Sequence, residues 1–300
     1  MTTSGFAVPT DSVLIGDGGL ATELEARGND LSDDLWSARL LAEAPDEIIA
    51  VHEAFFSAGA QFATTASYQA SFEGFARRGI DRADAERLMR RSIELAQSAR
   101  DSAVKPAWVA ASVGPYGAML ANGEEYIGRY GLSVAELAAW HLPRLEVLAS
   151  ADPDVLALET IPDSDEAEAL VGLVGEFGIP AWLSYTIAGD RTRAGQPLEE
   201  AFAVAADAPE IVAVGVNCCA PGDVLGAVAT ARRVTGKPVI VYPNSGEVWD
   251  GPNRVWVGTP GMDTDLATDW VDAGARIVGG CCRVRPDAIA AMAAITCYGA

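Results

Sequence analysis

The sequence predicts an α/β fold, a single-domain (β/α)8 TIM barrel covering residues 1–300, on three observations. Eight short apolar runs rich in Val, Ile and Ala recur along the whole chain, helical patterns separate them, and glycine closes several of those patterns just before the next run. Short runs mostly unbroken by charge are the signature of strands buried on both faces. Strand alternating with helix calls for a parallel sheet. Eight such repeats in 300 residues fit a closed barrel better than an open doubly wound sheet.

The runs are VLIGDGG from Val13, QFATTASY from Gln61, AWVAASVG from Ala107, VLALET from Val155, AWLSYT from Ala181, VAVGVNC from Val212, PVIVYPN from Pro238 and ARIVGGCC from Ala275. Between them stand DRADAERLMRRSIELAQSA, LSVAELAAWHLPRLEVLAS, SDEAEALVGLVGEFG, PGDVLGAVATARRVTG and DTDLATDWVDAGA. Gly178, Gly236 and Gly274 are placed where a left-handed residue would end a helix. The runs start farther apart in the first half of the chain, so long loops are expected after the first three strands. GNDLSDDLWSARLL and GPYGAMLANGEEYIGRYG, carrying Trp36, Tyr116 and Tyr126, are the segments expected to roof the site.

Composition narrows the function classes. A formal charge of -21 with no Lys/Arg cluster repels a phosphate backbone, so no nucleic acid is expected as a partner. The longest uncharged run, Pro106 to Gly123, is broken by Pro115 and several glycines, which excludes a membrane span there. The N-terminal MTTSGFAVPTDS has neither the basic start and apolar stretch of a signal peptide nor the arginines of a transit peptide. Five cysteines, an odd number without a small-domain spacing, point to a reducing compartment and to free or metal-bound thiols. A cytoplasmic protein, monomeric or weakly homo-oligomeric, is expected.

In such a barrel the chemistry gathers at the C-terminal ends of the strands. Cys218 ends the sixth run, and Cys281 and Cys282 end the eighth, so three thiols far apart in sequence reach one rim. Gly279 and Gly280 are expected to let the backbone bend so that consecutive side chains meet one ion. Three thiolates suit Zn2+, leaving a fourth position for a sulfur ligand, as in a catalytic centre. Such a centre activates a thiol as a nucleophile rather than water. Cys219 could substitute for Cys218, and Cys297 is expected to be a bystander.

Asp17, in GDGGLATEL, and Glu159, in LETIP, take equivalent rim positions after the first and fourth strands and could hold an ammonium group. Backbone N–H groups beside Gly18 and Gly19, opening onto a helix, could receive a carboxylate. His52 and His141 fall in helical patterns away from the strand ends and read as structural. No Ser-His-Asp arrangement, P-loop or dinucleotide fingerprint is present. Lys105 and Lys237 precede their strands, which disfavours Schiff-base chemistry of the aldolase kind. A non-catalytic zinc or thiol store is the rival reading, disfavoured by the two carboxylates.

GDGGLATELEARG, LWSARLL, TTASYQASFEGF, ASVGPYGAMLANGEEYIGRYG, LETIPDSDEAEAL, GVNCCAP, YPNSGEVWD and GGCCRVRPDAI together resemble the homocysteine S-methyltransferase family almost end to end, and its S-methylmethionine-using members best. The resemblance implies Zn2+ on Cys218, Cys281 and Cys282, and recognition of the homocysteine amino group by Asp17 and Glu159. Gly18 would meet its carboxylate, and Tyr68 and Asn217 would line the pocket. The implied reaction moves a methyl group from S-methylmethionine, or S-adenosylmethionine, to the zinc-bound thiolate of homocysteine, giving methionine. Selenohomocysteine or selenocysteine are alternative acceptors. The chain stops soon after GGCCRVRPDAI and has no folate or cobalamin module, so betaine and folate donors are not expected.

Overall fold

A computed structural model describes residues 5–31, 37–250, 255–259 and 261–297. Trp36 and the side chain of Cys297 lie outside the described residues. Eight parallel strands form one sheet: β1 (Leu14–Ile15), β2 (Phe62–Thr64), β3 (Trp108–Val113), β4 (Val155–Ile161), β5 (Ala181–Tyr185), β6 (Ile211–Asn217), β7 (Val239–Tyr242) and β8 (Ala275–Val278). Their order is β1-β8-β7-β6-β5-β4-β3-β2, each strand beside its neighbour in sequence except where the last returns to the first. This is a (β/α)8 TIM barrel, not a doubly wound sheet.

Gln61 closes the remaining seam. Its backbone N–H donates to Ile15 O at 2.7 Å, and its side-chain oxygen accepts from Ile15 N at 3.0 Å. The side chain thus substitutes for a ladder bond that β1 is too short to make with backbone alone.

Period-two alternation divides the core into two layers. On β4, Leu156 and Leu158 face the helices, whereas Val155 and Ala157 join Phe62, Ala110, Trp182, Ala213, Ile240 and Ile277 inside the barrel. Phe6 packs among them, its ring 5.7 Å from that of Trp108 and 6.0 Å from that of Trp182. Each buried Val, Ile or Phe among them contributes about 1.5–3 kcal/mol. The filled interior leaves room for a site only at the rim.

The helices start and stop for local reasons. Ser133 and Glu136 form a reciprocal capping box at the start of Val134–Ala149, and Asp81 caps Arg82–Asp101. Gly236 and Gly274 close their helices in left-handed conformation. Gly178 has the expected positive φ of 63°, but the helix before it ends at Val174, so this glycine serves the following turn. Two antiparallel hairpins, Ile187–Ala188 with Arg191–Thr192 and Val248–Asp250 with Val255–Val257, follow β5 and β7. Their runs are too short for a sequence pattern to announce. No helix among the described residues is long and apolar enough to cross a membrane.

Candidate metal and substrate site

The sulfurs of Cys218, Cys281 and Cys282 all lie within 4.8 Å of one another at the rim, a donor group able to hold a metal ion. Cys218 and Cys281 are joined as a disulfide, which corrects the expectation of free thiols at these two positions. Their strands flank β7 and end at the same rim, where the two sulfurs meet. Cys282 is free, its sulfur 4.0 Å from that of Cys218 and 3.9 Å from that of Cys281. Thiolates about 2.3 Å from a tetrahedral ion would be about 3.8 Å apart, so Cys282 already has the spacing of a metal ligand. Cys219, the possible substitute, is fully buried in the core around the barrel, which pushes its thiol up to about 12.

The two glycines of GGCC do not act as expected. Neither has a positive φ; the left-handed residues here are Cys218 (φ 48°) and Arg283 (φ 68°). What Gly279 and Gly280 permit is close approach. A Cβ on Gly280 would lie 2.2 Å from Val284 Cγ1, and one on Gly279 3.0 Å from Asp17 O. The β7 loop fixes the cysteines from the other side. Cys281 N–H donates to Pro243 O at 2.8 Å, Cys282 N–H to Asn244 Oδ1 at 3.2 Å, and Asn244 N–H to Cys219 O at 3.0 Å.

Asp17 and Glu159 face the same basin, close enough for the Glu159 charge to raise the Asp17 pKa. Burial is the larger cause, pushing Asp17 up to about 8 and Glu159 up to about 7. Asp17 also has a structural task. Its Oδ2 accepts from Thr64 N–H at 2.6 Å and its Oδ1 from the Thr64 hydroxyl at 2.9 Å, tying β1 to β2. Glu159 accepts from Ser112 Oγ and from the Tyr242 hydroxyl.

Gly19 and Asn217 have their polar groups engaged within the protein. The Gly19 N–H donates to Val284 O at 2.9 Å, so it is already committed within the protein. At Gly18 a Cβ would sit 2.5 Å from Val284 O and 2.8 Å from Phe55, so glycine is required there for packing. Asn217 is fully buried, and its amide is occupied: Oδ1 accepts from Thr160 N–H at 2.7 Å and Ser184 Oγ at 2.8 Å, while Nδ2 donates to Thr160 Oγ1 at 2.7 Å. It braces the wall formed with Thr160 and Ser184. Tyr68 stands on that wall, its hydroxyl bonded to Thr160 and held protonated by burial.

The loop after β3 roofs the sulfurs, as expected, through Tyr126, whose hydroxyl hydrogen-bonds Cys282. Arg193 lies over the Tyr126 ring, 5.7 Å from its centroid. Tyr116 belongs to the loop's support: its N–H donates to Glu166 Oε1 at 2.6 Å, which also pairs with His141 Nε2 at 2.8 Å. His141 and His52 are both fully buried in helices, consistent with a structural reading. Sequence reasoning missed Asn244, Tyr242 and Glu125 as site residues, although they stand in YPNSGEVWD and GEEYIGRY.

The family profile described as homocysteine S-methyltransferase matches residues 14–296. Homocysteine S-methyltransferase 4 of Zea mays is 45% identical, covering 96% of this chain and 91% of its own. Homocysteine S-methyltransferase of Escherichia coli is also 45% identical, with 94% of each chain covered. Among solved structures, the metallated form of the Escherichia coli homocysteine methyltransferase MmuM matches with a TM-score of 0.86 at 42% identity, covering 95% of this chain and 97% of that one. Its oxidised form matches with a TM-score of 0.87 at 43% identity over the same shares. With the barrel, the cysteine group and these likenesses in agreement from end to end, the chain is an enzyme belonging to the homocysteine S-methyltransferase family.

Proposed function

We propose that this protein transfers a methyl group from a sulfonium donor, S-methylmethionine or S-adenosylmethionine, to the thiol of homocysteine, with Zn2+ as cofactor and methionine as product. The observation that carries the reading is the convergence of three cysteine sulfurs beside two buried carboxylates. A metal store needs the first and has no use for the second.

The donor set fits the metal: three soft sulfurs, two of their three separations already near the tetrahedral value, in a group that becomes complete when the Cys218–Cys281 bond is reduced. That the relative MmuM occurs in metallated and oxidised forms supports an exchange between the two states. When bound by Cys218, Cys281 and Cys282, Zn2+ supplies the Lewis acidity that lowers a thiol pKa while leaving the sulfur nucleophilic.

The remaining work belongs to the protein. Asp17 and Glu159 hold the ammonium of homocysteine, losing their protons as it arrives, because a cation beside a buried carboxyl favours its charged form. Ser112, Tyr242 and Thr64 keep those carboxyls in place. Thr160, clamped by Asn217, sets the direction of its neighbour Glu159. Tyr126 and the β3 loop exclude water from the sulfur end of the basin. In the transfer, the thiolate electron pair forms the new S–C bond as the donor's S–C bond breaks. That bonding pair stays on the departing thioether, which leaves neutral and needs no acid. This agrees with the remote, buried positions of both histidines.

The test is a donor panel with reduced, zinc-loaded protein and homocysteine, comparing S-methylmethionine, S-adenosylmethionine, betaine and methylfolate. Methionine formation with the sulfonium donors is expected. Full metal occupancy without turnover on either sulfonium would overturn the reading.

A further inference from the structure

Glu125 is a third buried carboxylate beside the sulfurs, and nothing in the acceptor chemistry above uses it. It lies in the short turn Glu124–Tyr126 of the roofing loop, next to the tyrosine whose hydroxyl bonds Cys282. The residue is 6% exposed, and its Oε2 is buried without a hydrogen-bond partner among the described residues. Asp17 and Glu159, by contrast, have their oxygens engaged by Thr64, Ser112 and Tyr242. The Glu125 charge is felt at Cys282, Tyr68 and Tyr126. Burial and the neighbouring Glu124 raise its pKa, and backbone N–H groups of Glu125 and Gly123 partly offset them. A buried carboxylate oxygen without a partner is costly unless a cation or donor arrives with the ligand.

The turn is held firmly. Tyr126 N–H donates to Gly123 O at 3.0 Å and Arg129 N–H to Asp163 Oδ2 at 2.9 Å, so Glu125 does not swing out to solvent as an ordinary loop acid would. Gly117 leaves the room for this: a Cβ there would lie 2.5 Å from Glu125 N.

We propose that Glu125 recognises the positive charge of the methyl donor, making the site selective for a sulfonium over a neutral molecule of the same shape. This rests on the methyl-transfer reading. In that reading the acceptor's ammonium is taken at the Asp17 and Glu159 end, and its sulfur at the cysteine end. An in-line transfer places the donor's charged sulfur close to the acceptor's sulfur, at the cysteine end where the Glu125 charge is felt. The charge of the sulfonium disappears as the methyl moves, so Glu125 stabilises the bound donor more than the transition state. It acts on donor affinity and not on kcat.

The experiment uses reduced, zinc-loaded enzyme with Glu125→Gln and Glu125→Asp variants. Two quantities are read: steady-state constants for each substrate, and the calorimetric Kd of S-methylmethionine in the absence of homocysteine. Glu125→Gln should raise the KM and Kd for S-methylmethionine about 10–100-fold, as loss of one charge-assisted contact implies, with kcat not reduced. Homocysteine KM and zinc content should stay within about twofold of wild type, since neither contact is touched. Glu125→Asp, which keeps the charge, should retain more of the affinity than the glutamine variant. Wild-type enzyme alone supplies a second measurement: it should bind S-methylmethionine at least about tenfold more tightly than 2-amino-5-methylhexanoate, its neutral isostere. An unchanged donor constant in Glu125→Gln, a loss falling on homocysteine instead, or equal wild-type affinity for the two isosteres would overturn the proposal. If wild type transfers no methyl from either sulfonium, the methyl-transfer reading fails, and the Kd contrasts still decide whether Glu125 selects the cation.

Discussion

Asn217 grips Thr160 at both ends of its amide, accepting the Thr160 backbone N–H and donating to its hydroxyl, each at 2.7 Å. Thr160 has a φ of 59°, a left-handed conformation that a β-branched residue rarely adopts and that costs about 1–3 kcal/mol. The strain falls at the residue after Glu159, where the register between β4 and β5 shifts. We therefore read Asn217 as a positioning residue for Glu159. Asn217→Ala should destabilise the fold by about 2–4 kcal/mol, through buried groups left unpaired. In the fraction that folds, homocysteine KM should rise while zinc content stays constant. Unchanged KM in a well-folded variant would show that the wall does not aim Glu159.

Metal uptake should depend on the redox state of one bond. Protein prepared without reductant, with Cys218 and Cys281 paired, should take up little zinc. After reduction it should bind about one ion, the capacity of a single three-thiolate centre. Cys281→Ala should abolish both zinc and activity, whereas Cys219→Ala should keep both. Metal analysis by mass spectrometry, beside thiol titration, checks this; full zinc in Cys281→Ala would remove the site assignment.

Methionine binding should release protons. Asp17 and Glu159 are pushed up to about 8 and about 7 by burial, so both carry substantial protonation at pH 6. An arriving ammonium lowers both values and expels protons. Because methionine has no thiol, the release cannot come from its sulfur. Calorimetry at pH 6 in buffers of different ionisation enthalpy should detect it. The release should shrink in Glu159→Gln and fade as pH rises above about 8, where the free site is already ionised. Proton uptake instead would contradict the placement of the ammonium.

Gly280→Ala should damage the metal site by crowding alone. The added carbon would meet Val284 side-chain atoms at 2.2 and 2.4 Å. Overpacking of this kind costs about 1–3 kcal/mol, and relief requires moving the segment that carries Cys281 and Cys282. A fall of more than tenfold in zinc affinity is expected from the displacement, as ligand-supporting changes typically cost about 10–100-fold. Val284→Ala in the same chain should restore part of the loss. No rescue would mean that the glycine serves another purpose.

His52 should make acid stability fall. Burial lowers its pKa to about 4 from 6.5, so between those values the unfolded chain binds more protons than the folded one. Stability from this residue is intact above about pH 6.5 and is lost as pH drops toward 4, by about 3 kcal/mol. Asp17 and Glu159, with raised values, act in the opposite sense: the stability they lend in acid is lost as pH rises through about 8 and about 7 respectively. Subtracting the denaturation curves of His52→Leu from those of wild type isolates the histidine. A pH-independent difference would mean that His52 does not stay neutral in the fold.

Much of this architecture was legible before any coordinates. The eight apolar runs became the eight barrel strands because a strand buried on both faces is largely free of charge, a property most of the runs display by themselves. Cys218, Cys281 and Cys282 could be grouped because the barrel sends all strand ends to one rim. The preference for Cys218 over Cys219 needed the resemblance, and the structure agrees by burying Cys219 in the core. The protein contacts of Asn217, Gly18 and Gly280 were not legible, for a common reason. A side-chain amide in GVNC or a glycine in GDGG has the same appearance whether it meets a ligand or the protein itself.

The chain alone determined the strand and helix pattern, the acidic balance and the thiol count, since these are properties of local periodicity and composition, while the family was legible only through the resemblance of its motifs. Tertiary structure decided which polar atoms are already satisfied: Asn217 by Thr160, Asp17 in part by Thr64, and Glu125 Oε2 by nothing among the described residues. Hydrogen bonding over a few ångströms joins residues more than forty positions apart in the first two cases. Their pairing is set by barrel closure and register, which no local stretch encodes.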